Sequence, residues 1–135
     1  MKRGQISVEF ITVFGFIFLM TIPMVLIFFN QLGSVRDSLA QNQLRNLAIK
    51  LADKAESIYY LGEPSKTMIK AYFPEHIKFI NISRNEILFG IVDSNGIINE
   101  IYSVSQVDVT GDLSTDSGLH YIIIEASQGT AVIKE

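Results

Sequence analysis

Between Glu9 and Arg36 the chain carries no charged residue, and the run 11–29 is broken only by Thr12, Gly15, Thr21 and Pro23. As an α-helix its 19 residues extend about 28 Å, close to the hydrocarbon thickness of a bilayer. Lipid or other apolar helices must receive such a segment, because water will not. With 135 residues in all, the chain has room for one small domain beside it and not for two full cores.

Charge is distributed unevenly. Lys2 and Arg3 stand at the extreme N-terminus, whereas from Thr67 onward four basic residues (Lys70, Lys78, Arg84, Lys134) face nine acidic ones. An acidic C-terminal half lacks the basic face that nucleic acid requires, so nucleic acid is not an expected partner. Basic residues ahead of an apolar run predict a cytoplasmic N-terminus with the remainder exported. The chain contains no cysteine, which removes disulfides, thiolate nucleophiles and zinc-finger sites from consideration.

Downstream of Gly33 the pattern becomes amphipathic. Val35, Leu39, Leu44, Leu47, Ala48, Leu51, Ala55, Ile58 and Tyr59 recur mostly at steps of three and four, with charges on much of the other face. The spacing predicts a near-continuous helix over 5–61, weakened around 20–23 by Pro23, which lacks an N–H and clashes with the preceding turn. Gly62 and Glu63-Pro64-Ser65 end it. Strand-like segments follow at 67–73, 77–83, 86–93, 97–102, 120–126 and 130–134. Short turns join them: Arg84-Asn85, Ser94-Asn95-Gly96 (where Asn-Gly suits a type I′ turn) and Gln128-Gly129. The stretch 110–118 reads as a polar loop. Such short connections imply antiparallel order. The expected class is α+β: a long N-terminal helix packed, around 44–58, on a small antiparallel sheet.

The residues just before the apolar run, Lys2-Arg3-Gly4-Gln5-Ile6-Ser7-Val8-Glu9-Phe10, resemble the class III signal of archaeal type IV pilins. In that pattern a basic leader ends in Gly, and Gln-x-Ser-x-Glu-aromatic opens the hydrophobic helix. Archaellins share the leader, but their mature start is rich in Gly and Ala. The resemblance implies cleavage between Gly4 and Gln5 by a membrane aspartic peptidase. It divides the chain into a leader (1–4), a hydrophobic assembly helix (5–31), an amphipathic continuation (32–62) and a β head (63–135). It further implies that Gln5, Glu9, Phe10 and Pro23 serve assembly. The new α-amine of Gln5 would be the natural partner of Glu9 on a neighbouring subunit, and Pro23 would mark a place where the helix bends or melts. The implied partners are further copies of the chain, the peptidase, an assembly platform with a secretion ATPase, and the membrane before assembly. Adhesion or cell-surface contact is the implied use. A minor pilin or pseudopilin of a secretion or DNA-uptake machine, and a plain single-pass anchored binding protein, are the alternatives.

Other chemistry is sparse. His76 and His120 lack metal-ligand spacing, and Asp108, Asp112 and Asp116 are too widely spaced for a calcium loop. No phosphate-binding Gly-rich loop, nucleophile elbow or poised carboxylate pair is present, so neither an enzyme nor a cofactor is expected. Asn81-Ile82-Ser83 is the only N-glycosylation sequon.

Overall fold

The computed structural model describes residues 2–135, with side chains from Ser7 onward. The fold is α+β, as the sequence predicts. One helix, α1 (Lys2–Leu61), precedes seven strands: β1 (Lys66–Phe73), β2 (Ile77–Ser83), β3 (Glu86–Val92), β4 (Ile98–Val104), β5 (Val109–Asp112), β6 (Gly118–Ser127) and β7 (Thr130–Lys134). The chain divides into two units, the residues up to Arg36 and Asp37–Glu135, and α1 contributes to both.

α1 runs without interruption for 60 residues, with Pro23 inside it. The helix therefore continues through 20–23. Pro23 removes one donor, but Leu19, Met20, Met24 and Leu26 around it are good helix formers, and the nearest hydroxyl, on Thr21, bonds within the helix. Thr12 and Thr21 turn their hydroxyls back onto the carbonyls of Val8 and Ile17, at 2.8 and 2.7 Å. The helix also begins before Gln5, so the Gly4-Gln5 junction lies within helical backbone. Its C-terminus follows the expected chemistry. Gly62 takes φ +73°, its N–H reaches the carbonyls of Ile58 and Tyr59, and glycine adopts this left-handed geometry without a Cβ penalty.

In the second unit, Leu44, Leu47, Ala48, Leu51, Ala52, Ala55 and Ile58 form the buried stripe of α1. They pack into one core with residues of the sheet, including Phe73, Phe89, Ile122, Ile124 and Ile133. Each large side chain so buried contributes about 1.5–3 kcal/mol. Phe73 and Phe89 meet edge to face, with centroids 6.2 Å apart. Val35 and Leu39, expected on the same apolar stripe, are exposed; coverage begins only at the turn containing Ala40 and Leu44.

The sheet order is β1-β6-β7-β5-β2-β3-β4. All neighbours are antiparallel except β5 and β7, which run parallel. Two expectations change here. The stretch 110–118 is not wholly a loop, because Thr110–Asp112 belong to β5, and the sheet is not purely antiparallel. β5 joins the two halves, pairing Val109 with Ala131 on one side and Gly111 with Ile82 on the other.

The turns also differ from expectation. At 94–96 only Gly96 has positive φ. Its N–H reaches the Asp93 carbonyl and the Asp93 N–H reaches Ile97, which makes a three-residue loop with a glycine bulge rather than a type I′ turn. The Asp93 carboxylate accepts the N–H groups of Asn95 and Ile97, both at 2.9 Å, and so fixes the longer loop. Positive φ at both central residues occurs instead at Gln128 and Gly129.

Candidate functional site

The site is the apolar half of α1. Every described residue from Ser7 to Leu32 is exposed, and the large hydrophobic side chains between Val8 and Phe29 range from 44% exposed at Phe14 to 74% at Met24. Among the described residues none buries any side of this segment. Full burial of each such side chain is worth about 1.5–3 kcal/mol, so a row this long represents tens of kcal/mol, available only to lipid or to neighbouring helices. By length and composition this helix is able to cross a membrane. Phe10 and Phe14, one turn apart, meet at a tilt of 44° with centroids 4.4 Å apart. They place a paired aromatic surface at the start of the segment.

Glu9 borders this surface, on the helix and exposed. Among the described residues no side chain forms an ion pair or hydrogen bond with it. Gln5 precedes it by four positions, hence on the same helical face; the Gln5 side chain lies outside those described. Gly4, Gln5, Glu9, Phe10 and Pro23 thus follow one another along a single helix. Asn81 belongs to the other unit.

Asn81 is exposed on β2, opposite Leu88. It lies on the sheet face away from the helix, since its neighbour Ile82 points into the core. Phe79, two residues earlier on the same face, lies against the surface that a side chain at Gly90 would occupy. The sequon therefore presents its amide to solvent beside an aromatic ring.

Several polar contacts within the second unit were not legible in the sequence. Ser94 donates its N–H and its hydroxyl to Asp37 Oδ2, at 3.1 and 2.6 Å. These bonds, from the hydroxyl first and then the amide, favour the ionised form and hold the Asp37 carboxyl below its ordinary range. Asp37 lies beyond the apolar run. Glu56 Oε1 accepts the Gln106 N–H at 2.7 Å. Together these carboxylates anchor the amphipathic half of α1 at two points along the head.

The histidines occupy different settings. His76 sits exposed in the β1–β2 turn with φ 70°. His120 is buried on β6, with Nδ1 2.7 Å from Glu135 Oε1 and Nε2 2.9 Å from the Asp116 carbonyl. It stacks on Phe73 at 4.2 Å. Both ring nitrogens are thereby engaged in holding the loop before β6. Among the described residues no group of three or more His, Asp or Glu side chains is arranged to hold a metal ion.

Compared with protein-family models, with curated proteins and with solved structures, the chain has no match.

Proposed function

We propose that this chain is the precursor of a structural subunit of an archaeal type IV pilus-like surface filament, which polymerises through its N-terminal helix after removal of 1–4. The observation that carries this reading is the apolar half of α1. It is uncovered on all sides and continuous with the helix that builds the core of the head. A membrane anchor needs the first property alone. A filament subunit also needs its oligomerising segment and its head-building segment to belong to one chain element, and α1 contributes to both units.

In this reading the subunit waits in the membrane with its head outside. A membrane peptidase cuts between Gly4 and Gln5, and an assembly platform driven by a secretion ATPase transfers the helix from lipid into a helical core. The helical geometry of the junction requires local unwinding to enter the peptidase, and Gly4 lowers that cost because glycine is the weakest helix former after proline. Glu9 then lies next to the new amine of Gln5. Surface attachment or cell contact is the use such filaments serve.

Intact-mass and N-terminal analysis of native membrane or shed material tests the processing step. The expected mature chain begins at Gln5 and, because Asn81 is exposed, carries a glycan increment that Asn81→Gln abolishes. A mature N-terminus beyond residue 30, or an intact Met1 in assembled material, contradicts the processing. An unmodified mass contradicts the glycan alone.

A further inference from the structure

The seven-stranded sheet has two open edges, β1 and β4, and their properties are complementary. β1 has eight residues and β4 has seven. Each pairs with its inner neighbour without a register shift, and neither contains proline. Proteins ordinarily blunt such edges with bulges, prolines, short strands or charged side chains; of these only charges occur here, Lys66 and Lys70 on β1 and Glu100 on β4. The side of β4 toward the helix is also open: a groove of about 340 Å³ runs there, between Arg45 and Ile49 of α1 and 100–102 of the strand.

Backbone geometry fixes which groups are available. The Ser65 carbonyl accepts the Ala126 N–H from β6, so by alternation the odd residues of β1 bond inward and the even ones face the open edge. The Ser105 N–H reaches Asn85 in the same way, so in β4 the even residues again face outward. Those same residues carry the side chains on the sheet face away from the helix, because Ile69, Ala71 and Ile101, in odd positions, are buried.

Strand direction completes the match. Five antiparallel pairings and one parallel pairing lead from β1 to β4, so the two edges run in opposite senses. A second copy placed beside the first in the same orientation therefore meets it as an antiparallel neighbour, with cores on the same side. In the register that pairs all of β4, Lys70 lies opposite Glu100, Met68 opposite Tyr102 and Tyr72 opposite Ile98, each an even–even pair able to exchange two backbone hydrogen bonds. A shift of one residue would turn core side chains outward and is excluded.

Charge selects this arrangement over a symmetric one. β1 carries Lys66 and Lys70 and no acid, while β4 carries Glu100 and no base. Two β1 edges would bring lysines together, and two β4 edges would bring Glu100 beside Glu100. Only the head-to-tail pairing sets opposite charges across the junction. We infer that heads of this protein bind one another by strand addition, the β1 edge of one copy to the β4 edge of the next. Such an interface uses two different surfaces and therefore does not close at a dimer. The twist of sheets turns the row into a helix. This contact is independent of the apolar segment and would add a second, external layer of cohesion to the filament.

The absence of cysteine makes the test direct. Met68→Cys and Tyr102→Cys replace exposed side chains and leave the core untouched. Full-length chain in detergent is treated with a short bismaleimide. The double variant should give a ladder extending beyond dimer, a mixture of the two single variants should give dimer, and each single variant alone should remain monomeric. Glu100→Lys added to the double variant should reduce the ladder roughly three- to tenfold, as for an attractive cross-strand pair made repulsive, and Lys70→Glu should restore it. Dimer from Tyr102→Cys alone, or no ladder from the double variant, would overturn the head-to-tail contact. Filaments that form while the ladder is absent would overturn it and leave the helix-based reading standing.

Discussion

Glu9→Gln protein is expected to be processed and inserted like wild type, yet to form few or no filaments. After cleavage each subunit would carry a positive amine at Gln5 and a carboxylate at Glu9, four residues apart on one helical face. Glu9 is the last charge before an interval that stays uncharged until Arg36, and among the described residues it has no partner on its own chain. In a bundle of such helices its surroundings become apolar, and an unpaired ion there is costly. Removing one member of a buried pair typically costs about 3–5 kcal/mol, because the other charge is left uncompensated. At each subunit contact that is roughly a hundred- to several-thousand-fold in association. Glutamine keeps nearly the same size and helix propensity, so insertion should not change. Glu9→Asp retains the charge on a shorter side chain and should assemble partially. Immunoblot mobility reports processing, and electron microscopy of cell surfaces reports assembly. Filament numbers equal to wild type from fully processed Glu9→Gln protein would show that this charge does not guide assembly.

Gly111→Ala should abolish the folded head or destabilise it by more than about 3 kcal/mol, in the range of severe overpacking. A Cβ at this position would overlap the Ile133 carbonyl oxygen and lie 2.8 Å from its carbon. Those are backbone atoms of β7, in register with Gly111, and the Ile133 side chain is fully buried. Relief would require separating β5 from β7, the parallel pairing through which β5 bridges the two halves of the sheet. Gly15→Ala is the control, since a Cβ there meets nothing within 4 Å and alanine favours helix by up to about 1 kcal/mol. Denaturant unfolding followed by circular dichroism measures both. Wild-type stability for Gly111→Ala would contradict the close approach of β5 to β7.

These two residues differ in how readily the sequence reveals them. Glu9 is conspicuous because the charge-free interval begins just after it. Gly111 sits in Thr-Gly-Asp-Leu-Ser, a composition indistinguishable from a turn, and its strand role comes from partners at Ile82 and Ile133 that no local pattern encodes. The same division holds across the fold. The helix, its stop at Gly62 and the hairpins at 84–85 and 128–129 rest on local signals. The parallel β5–β7 pairing, the anchor from Asp37 to Ser94 and the exposure of Val35 and Leu39 depend on tertiary placement. Asn-Gly at 95–96 favoured a type I′ turn, but the Asp93 carboxylate stabilises a longer loop. Pro23 suggested weakened helical order around 20–23, and α1 runs on through it. For the site, the uncovered helix was legible from composition alone. The open edges were not, because which strand lies at an edge follows from sheet order, and β5 decides that order here.

The central claim, that the chain is a filament subunit, is tested most directly by immunogold electron microscopy of the native cell surface, using antibody raised against the head. The expected result is label in regular rows along thin filaments, lost when the chain is deleted. Label scattered singly over the membrane, with any filaments unlabelled and unaffected by the deletion, would contradict it.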